Sequence, residues 1–173
     1  IFLAWQKIIR RGHIFCDFHL DDKELSEVYG KNYFFGDEYS NYLADSEVLQ
    51  RNCKLRLKVL RVFLEPIRHK HLLEIGCAYG FFLDIAKDYF AAVQGIDIAD
   101  SGIVYARERL KLDVINGDFL QYDFSGRKFD VVCMWDTIEH LKKPQLYLEK
   151  IANHMESGAL IAITTGDIES VNA

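Results

Sequence analysis

From His71 onward, short apolar runs alternate with stretches in which apolar residues recur every three to four positions. The runs His71–Ile75, Ala92–Ile96, Asp113–Ile115, Phe129–Met134 and Gly158–Thr164 read as strands, and Phe81–Phe90, Gly102–Leu110 and Pro144–His154 read as helices. Strands and helices alternating at this spacing predict an α/β fold, a mostly parallel sheet with helices on both faces. Ligands of such sheets bind beyond the carboxyl ends of the strands, where the winding direction reverses. That edge is where chemistry is expected.

Upstream the pattern changes. Residues 1–66 read as helices and aromatic-rich turns without a clear strand, which divides the chain into an N-terminal helical cap, 1–66, and a ligand-binding domain, 67–173. Asp21 and Asp22 can cap a short helix running to Glu27. Six aromatics crowd the fourteen positions from Tyr29 to Tyr42. Asp45 or Ser46 then opens a long helix with Leu49, Cys53, Leu57, Leu60 and Leu64 on one face, arginines and lysines on the other, and Pro66 at its end. Such a helix is expected to lie on the sheet.

Composition narrows the class. With 173 residues, 50% hydrophobic and 27% charged, the chain is that of an ordinary globular domain, and disorder is excluded. A net charge of −5 and a pI near 5.7 supply no basic field for nucleic acid or an anionic membrane. No run reaches the roughly 18 apolar residues of a membrane span. The basic amphipathic stretch Trp5–Arg11 is short, and packing against the domain or a partner is its preferred reading over a membrane-surface helix. Cys16, Cys53, Cys77 and Cys133 lack metal-ligand spacing and read as buried thiols of a reducing, cytoplasmic setting.

The chemistry concentrates after the first strand of the alternation. Gly76 and Gly80, with the small Ala78 between them, let the backbone approach a ligand before the next helix begins. Asp97 ends the second strand, 23 residues after Glu74, where an acid can accept both hydroxyls of a ribose. A nucleoside ligand is implied, and charge selects among nucleosides. A nicotinamide cofactor brings a pyrophosphate, which Glu74 would repel, and Phe81 stands where the full glycine pattern has its last glycine. S-adenosylmethionine brings an ammonium and a sulfonium and no phosphate, so carboxylates suit it. After the third strand, Asp118 can accept from the adenine amino group while Phe119 packs on the ring; a turn or helix cap is the equally weighted structural role for Asp118. Cys77 reads as a small loop residue.

Four ordered blocks, Leu73–Gly80, Gly95–Asp97, Asn116–Asp118 and Phe129–Leu141, resemble the class I S-adenosylmethionine-dependent methyltransferases over about residues 70–168. The resemblance implies a Rossmann-like sheet with the visible strands in the order 3-2-1-4-5. It also implies that Glu74 and the loop Gly76, Cys77, Ala78, Gly80 hold the methionine part, Asp97 the ribose, and Asp118 with Phe119 the adenine. Ile98 would pack on the adenine, and Met134 and Trp135 would line the pocket near the sulfonium. Ala78 stands where the family usually has Gly. Residues 24–36 are similar to the lead-in of a bacterial branch acting on small molecules and cell-surface sugars, whose members often begin with a zinc module that is not visible here. Tyr33, Phe34, Tyr39 and Tyr42 would form a lid over the cofactor or anchor the cap in its own core.

The expected activity is methyl transfer to a small-molecule acceptor, in which the protein chiefly aligns donor and acceptor. Asp136, Glu139 and His140 follow the fourth strand of the alternation, and His140 is the candidate base if the acceptor must lose a proton. No metal site is expected, because Asp136, Glu139 and His140 lack further ligands at suitable spacing. His13, His19, His69, His71 and His154 read as surface residues. The rival readings are a nicotinamide-linked oxidoreductase on the same fold and a non-catalytic binding module. Family sheets have seven strands and five are visible, so the chain reads as truncated, with an exposed fifth strand available for pairing with another chain.

Overall fold

The structure is a computed structural model that describes residues 4–8, 13–17 and 43–166. Two short strands, β1 (Ala4–Ile8) and β2 (His13–Asp17), pair antiparallel from Ala4 opposite Asp17 to Ile8 opposite His13. This corrects the strandless reading of residues 1–66 and the helical alternative for Trp5–Arg11. Trp5, Ile8, Ile14 and Phe15 are β-branched or aromatic, types that favour an extended chain. The predicted helix through Glu27 and the aromatics Tyr33, Phe34, Tyr39 and Tyr42 lie outside the described residues.

Helix α1 (Ser46–Leu60) buries Cys53, Leu57 and Leu60, with Leu49 and Leu64 packed partly against the same cluster. It stops short of Pro66. The amides of Val62 and Phe63 reach back three residues, to Val59 and Leu60, a tightened last turn that ends the helix. Next come β3 (His71–Ile75), α2 (Phe81–Ala86), β4 (Ala92–Asp97), α3 (Asp100–Glu108) and β5 (Val114–Asn116). β6 (Phe129–Trp135), a single 3₁₀ turn (Ile138–His140), α4 (Pro144–Asn153) and β7 (Met155–Thr164) complete the chain of elements. The sheet order is β5-β4-β3-β6-β7, every pair parallel. This is the predicted 3-2-1-4-5 order. β3 lies at the centre and the winding reverses beside it.

Alternation along the strands divides the core. Leu72, Val131 and Cys133 face α1, α2 and α3, while Leu73, Ile75, Val132 and Met134 face Phe119, Phe124 and Ile151 of α4. β5 is one edge strand of this sheet and β7 the other. Its Leu160 and Ala162 pack on the first cluster, while Ile161 and Ile163 are 42% and 37% exposed. His69, expected on the surface, is 4% exposed. Its Nδ1 accepts the Glu65 amide at 2.8 Å and its Nε2 lies 3.3 Å from the Gly158 carbonyl, which ties the lead-in of β3 to the irregular start of β7.

A cleft of about 300 Å³ opens at the amino ends of the strands, lined in part by His71, Gln94, Asp113 and Arg127. Its polar groups already serve one another: Gln94 donates to Asp113 at 2.6 Å and accepts from Arg127 at 3.0 Å, and Asp130 accepts from the amides of Lys70 and His71 and lies 3.2 Å from the His71 ring. It lies at the opposite edge from the glycine loop. Among the described residues, no helix is long and apolar enough to cross a membrane, and no group of three or more His, Cys, Asp or Glu is placed to hold a metal ion.

Candidate functional site

β3 runs into the glycine loop, which turns sharply because three of its residues hold left-handed backbone: Gly76 (φ 76°), Ala78 (φ 45°) and Gly80 (φ 75°). The Gly76 amide donates to the Ile96 carbonyl at 2.9 Å, which continues the pairing with β4 past the strand. Space at Gly76 is closed from the other side. A Cβ there would fall 2.4 Å from Thr137 Oγ1, in the loop after β6, so the loops from neighbouring strands touch at this residue. A second close approach locks the far side: a Cβ on Gly102 of α3 would fall 2.7 Å from the Ala78 carbonyl oxygen.

Asp97, at the end of β4, braces the same loop. Its Oδ2 accepts the Ala78 amide at 2.7 Å and its Oδ1 the Ala99 amide at 2.8 Å. A carboxylate has about four lone-pair sites, so acceptor capacity remains for a ligand's hydroxyl. Burial pushes its carboxyl above the usual range, and the amides of Ala99, Ala78 and Ile98 hold it back. Glu74 lies beneath the loop, 4% exposed, with Oε2 buried and without a hydrogen-bond partner. Burial, and then the Asp97 charge, raise its carboxyl well above the usual 4.5, and only Arg56 opposes them.

These two acids burden the free fold at neutral pH. A carboxyl whose folded value is raised contributes stability below the unfolded value and loses it as pH rises through the folded one. Glu74→Gln should therefore raise the thermal midpoint at pH 7 to 8, with the gap closing as pH falls toward 4.5. Asp130 works in the opposite sense. Burial raises it, but the amides of His71 and Lys70 and the His71 ring prevail and lower it, so its contribution is lost in acid for both proteins alike. Melting curves across that range, read by circular dichroism, would refute the assignment if the gap were independent of pH.

The remaining sequence-derived candidates divide. Asp118 follows β5, with Oδ1 accepting the Leu120 amide at 2.8 Å and the Tyr147 hydroxyl 3.4 Å away. Ile98 is 57% exposed at the rim beside Asp97. Trp135 is half-buried, edge-on to Phe82 at 5.0 Å. Phe119 and Met134 are both buried. Phe119 is 3% exposed, stacked on Tyr147 at 5.5 Å with the Lys150 ammonium 5.2 Å from its ring. Met134 is fully buried, because the pleat of β6 turns it toward Leu73 and α4. The Cys77 side chain points inward, where a Cβ on Gly95 would meet its Sγ at 2.7 Å, so only its backbone faces the loop. Burial raises the thiols of Cys53, Cys77 and Cys133, consistent with inert packing. Glu139 and His140 stand exposed on the 3₁₀ turn.

Sequence reasoning passed over Arg56, Thr137, Thr164 and Gly102. Arg56 of α1 forms an ion pair with Asp136, whose Oδ1 also accepts from Thr164 Oγ1 at 2.7 Å. A glycine in the first turn of α3 was the one available signal for a close approach.

A methyltransferase-domain family model matches residues 48–172. Among curated proteins, the ubiquinone biosynthesis O-methyltransferase of Coxiella burnetii is 23% identical over 116 residues, 64% of this chain and 49% of that protein. The chain spans about half the length of the curated relatives it matches first. Two solved structures share the fold. One is the N-methyltransferase NodS from Bradyrhizobium japonicum WM9 in complex with S-adenosyl-L-homocysteine, with TM-score 0.56 and 20% identity over 64% of this chain and 59% of that one. The other is the sugar N-methyltransferase KedS8 from Streptoalloteichus sp. ATCC 53650, with TM-score 0.52 and 21% identity over 73% of this chain and 49% of that one.

Proposed function

Because the chain belongs to the methyltransferase-domain family, we propose that it binds S-adenosylmethionine at the glycine loop and directs methyl transfer to a small-molecule acceptor. The observation that carries this reading is the pair of acids flanking the loop, the half-buried Asp97 and the buried Glu74, with Glu74 Oε2 left without a partner. An orphaned carboxylate oxygen suits a ligand that brings an ammonium, and it repels one that brings a pyrophosphate. The residues present fit the methyl donor.

In this reading Glu74 and the loop from Gly76 to Gly80 receive the methionine part, Asp97 takes the ribose hydroxyls, and Asp118 takes the adenine amino group with Ile98 against the ring. Trp135 stands toward the sulfonium. When bound, the donor supplies an electrophilic methyl group that passes in line to an acceptor lone pair, with a neutral thioether leaving. The protein aligns the partners and excludes water. For an acceptor that must lose a proton, His140 would be the group to take it. The ubiquinone O-methyltransferase and sugar N-methyltransferase among the similar proteins support a small acceptor, a sugar or glycan precursor among them. The buried thiols support a cytoplasmic setting. The N-terminal residues through 66 would serve as a cap over residues 67–173.

Titration calorimetry with S-adenosylhomocysteine and with NADH tests the reading. Micromolar binding of the first without the second is expected. NADH binding alone would establish the oxidoreductase reading instead, and a folded protein that binds neither would be a non-catalytic module.

A further inference from the structure

Arg56 stands at a junction that no sequence pattern marks. It projects from α1 between Cys53 and Leu57, two residues sunk in the core, so its backbone is fixed. Its guanidinium carbon lies 5.6 Å from the centre of the Trp135 ring, within the range of a cation–π contact, and its end pairs with Asp136. Asp136 holds left-handed backbone at φ 50° and is bound to β7 as well: its amide donates to the Thr164 carbonyl at 3.1 Å and its carboxylate accepts the Thr164 hydroxyl. The next residue is Thr137, which fills the space over Gly76. A chain of direct contacts therefore runs from α1 through Arg56, Asp136 and Thr137 to the glycine loop.

We propose that Arg56 is a positioning residue for the site: it holds the loop after β6 against Gly76. Lysine cannot reproduce this, because the planar fork covers Trp135 and grips Asp136 where an ammonium offers a point charge.

The test uses the full chain and three variants, Arg56→Met, Arg56→Lys and Asp136→Asn. Hydrogen exchange read by mass spectrometry follows amides 136–141 in the free protein, and calorimetry follows S-adenosylhomocysteine binding at pH 7. Arg56→Met should speed exchange in that segment and weaken binding, each about tenfold or more, the cost of a charge-assisted contact. Arg56→Lys should restore only part of the slow exchange and of the affinity. Asp136→Asn should speed exchange as Arg56→Met does. Unchanged exchange in Arg56→Met or in Asp136→Asn overturns the positioning role. If the wild-type protein binds no S-adenosylhomocysteine, the methyl-donor reading falls, and exchange alone decides the positioning role.

Discussion

Asp97→Ala is expected to weaken S-adenosylhomocysteine binding by at least about tenfold, since hydrogen bonds to charged groups contribute about 1.5 to 3 kcal/mol. The loss has two sources. The ribose would lose its acceptor, and the amides of Ala78 and Ala99 would lose the two oxygens on which they rest. Asp97→Asn separates them, because its single carbonyl oxygen can serve one tether while its amide nitrogen offers the wrong polarity to the other. Calorimetry on both variants should place Asn between Ala and wild type. Equal affinity for Asp97→Ala and wild type, with the variant folded, removes the ribose assignment.

Gly76→Ala should destabilise the domain by about 3 kcal/mol, from two costs. Left-handed backbone costs a residue with a Cβ about 1 to 2 kcal/mol. Overpacking costs about 1 to 3 kcal/mol more, here because the new carbon would sit 2.4 Å from Thr137 Oγ1 and 2.7 Å from its Cγ2. Thr137→Ala removes both of those atoms and leaves only the Thr137 Cβ, at 3.1 Å. The double variant should recover the overpacking part, and the backbone part should persist. Denaturant unfolding of the four proteins measures the coupling directly. Strictly additive single-variant costs would mean that the two loops do not meet at Gly76 in solution.

The five parallel strands were legible because short apolar runs alternate with helical periodicity, whereas their order was legible only through the resemblance that the four blocks carry. The loop acids were legible because a glycine turn between strand and helix fixes where Glu74 and Asp97 must lie. The antiparallel pair β1–β2 was not, since its first strand reads equally well as part of a short basic amphipathic helix until a partner strand is in view. The burial of Phe119 and Met134 was not legible, for a different reason. The motif locates the end of a strand, while the pleat decides which side chains turn into the core, and on β6 the even positions Val132 and Met134 face α4. Arg56 was invisible because an arginine on the polar flank of a helix looks solvated, and the Asp136 that claims it lies 80 residues away.

The posture of the glycine loop has a kinetic meaning as well. With Gly76, Ala78 and Gly80 already left-handed and the Ala78 amide already seated on Asp97, the loop is ordered by folding and not by capture. A ligand arriving there has little backbone entropy left to remove, so its arrival is governed by diffusion and orientation. Substitutions around the loop should then register chiefly in residence time, with association rates nearly unchanged.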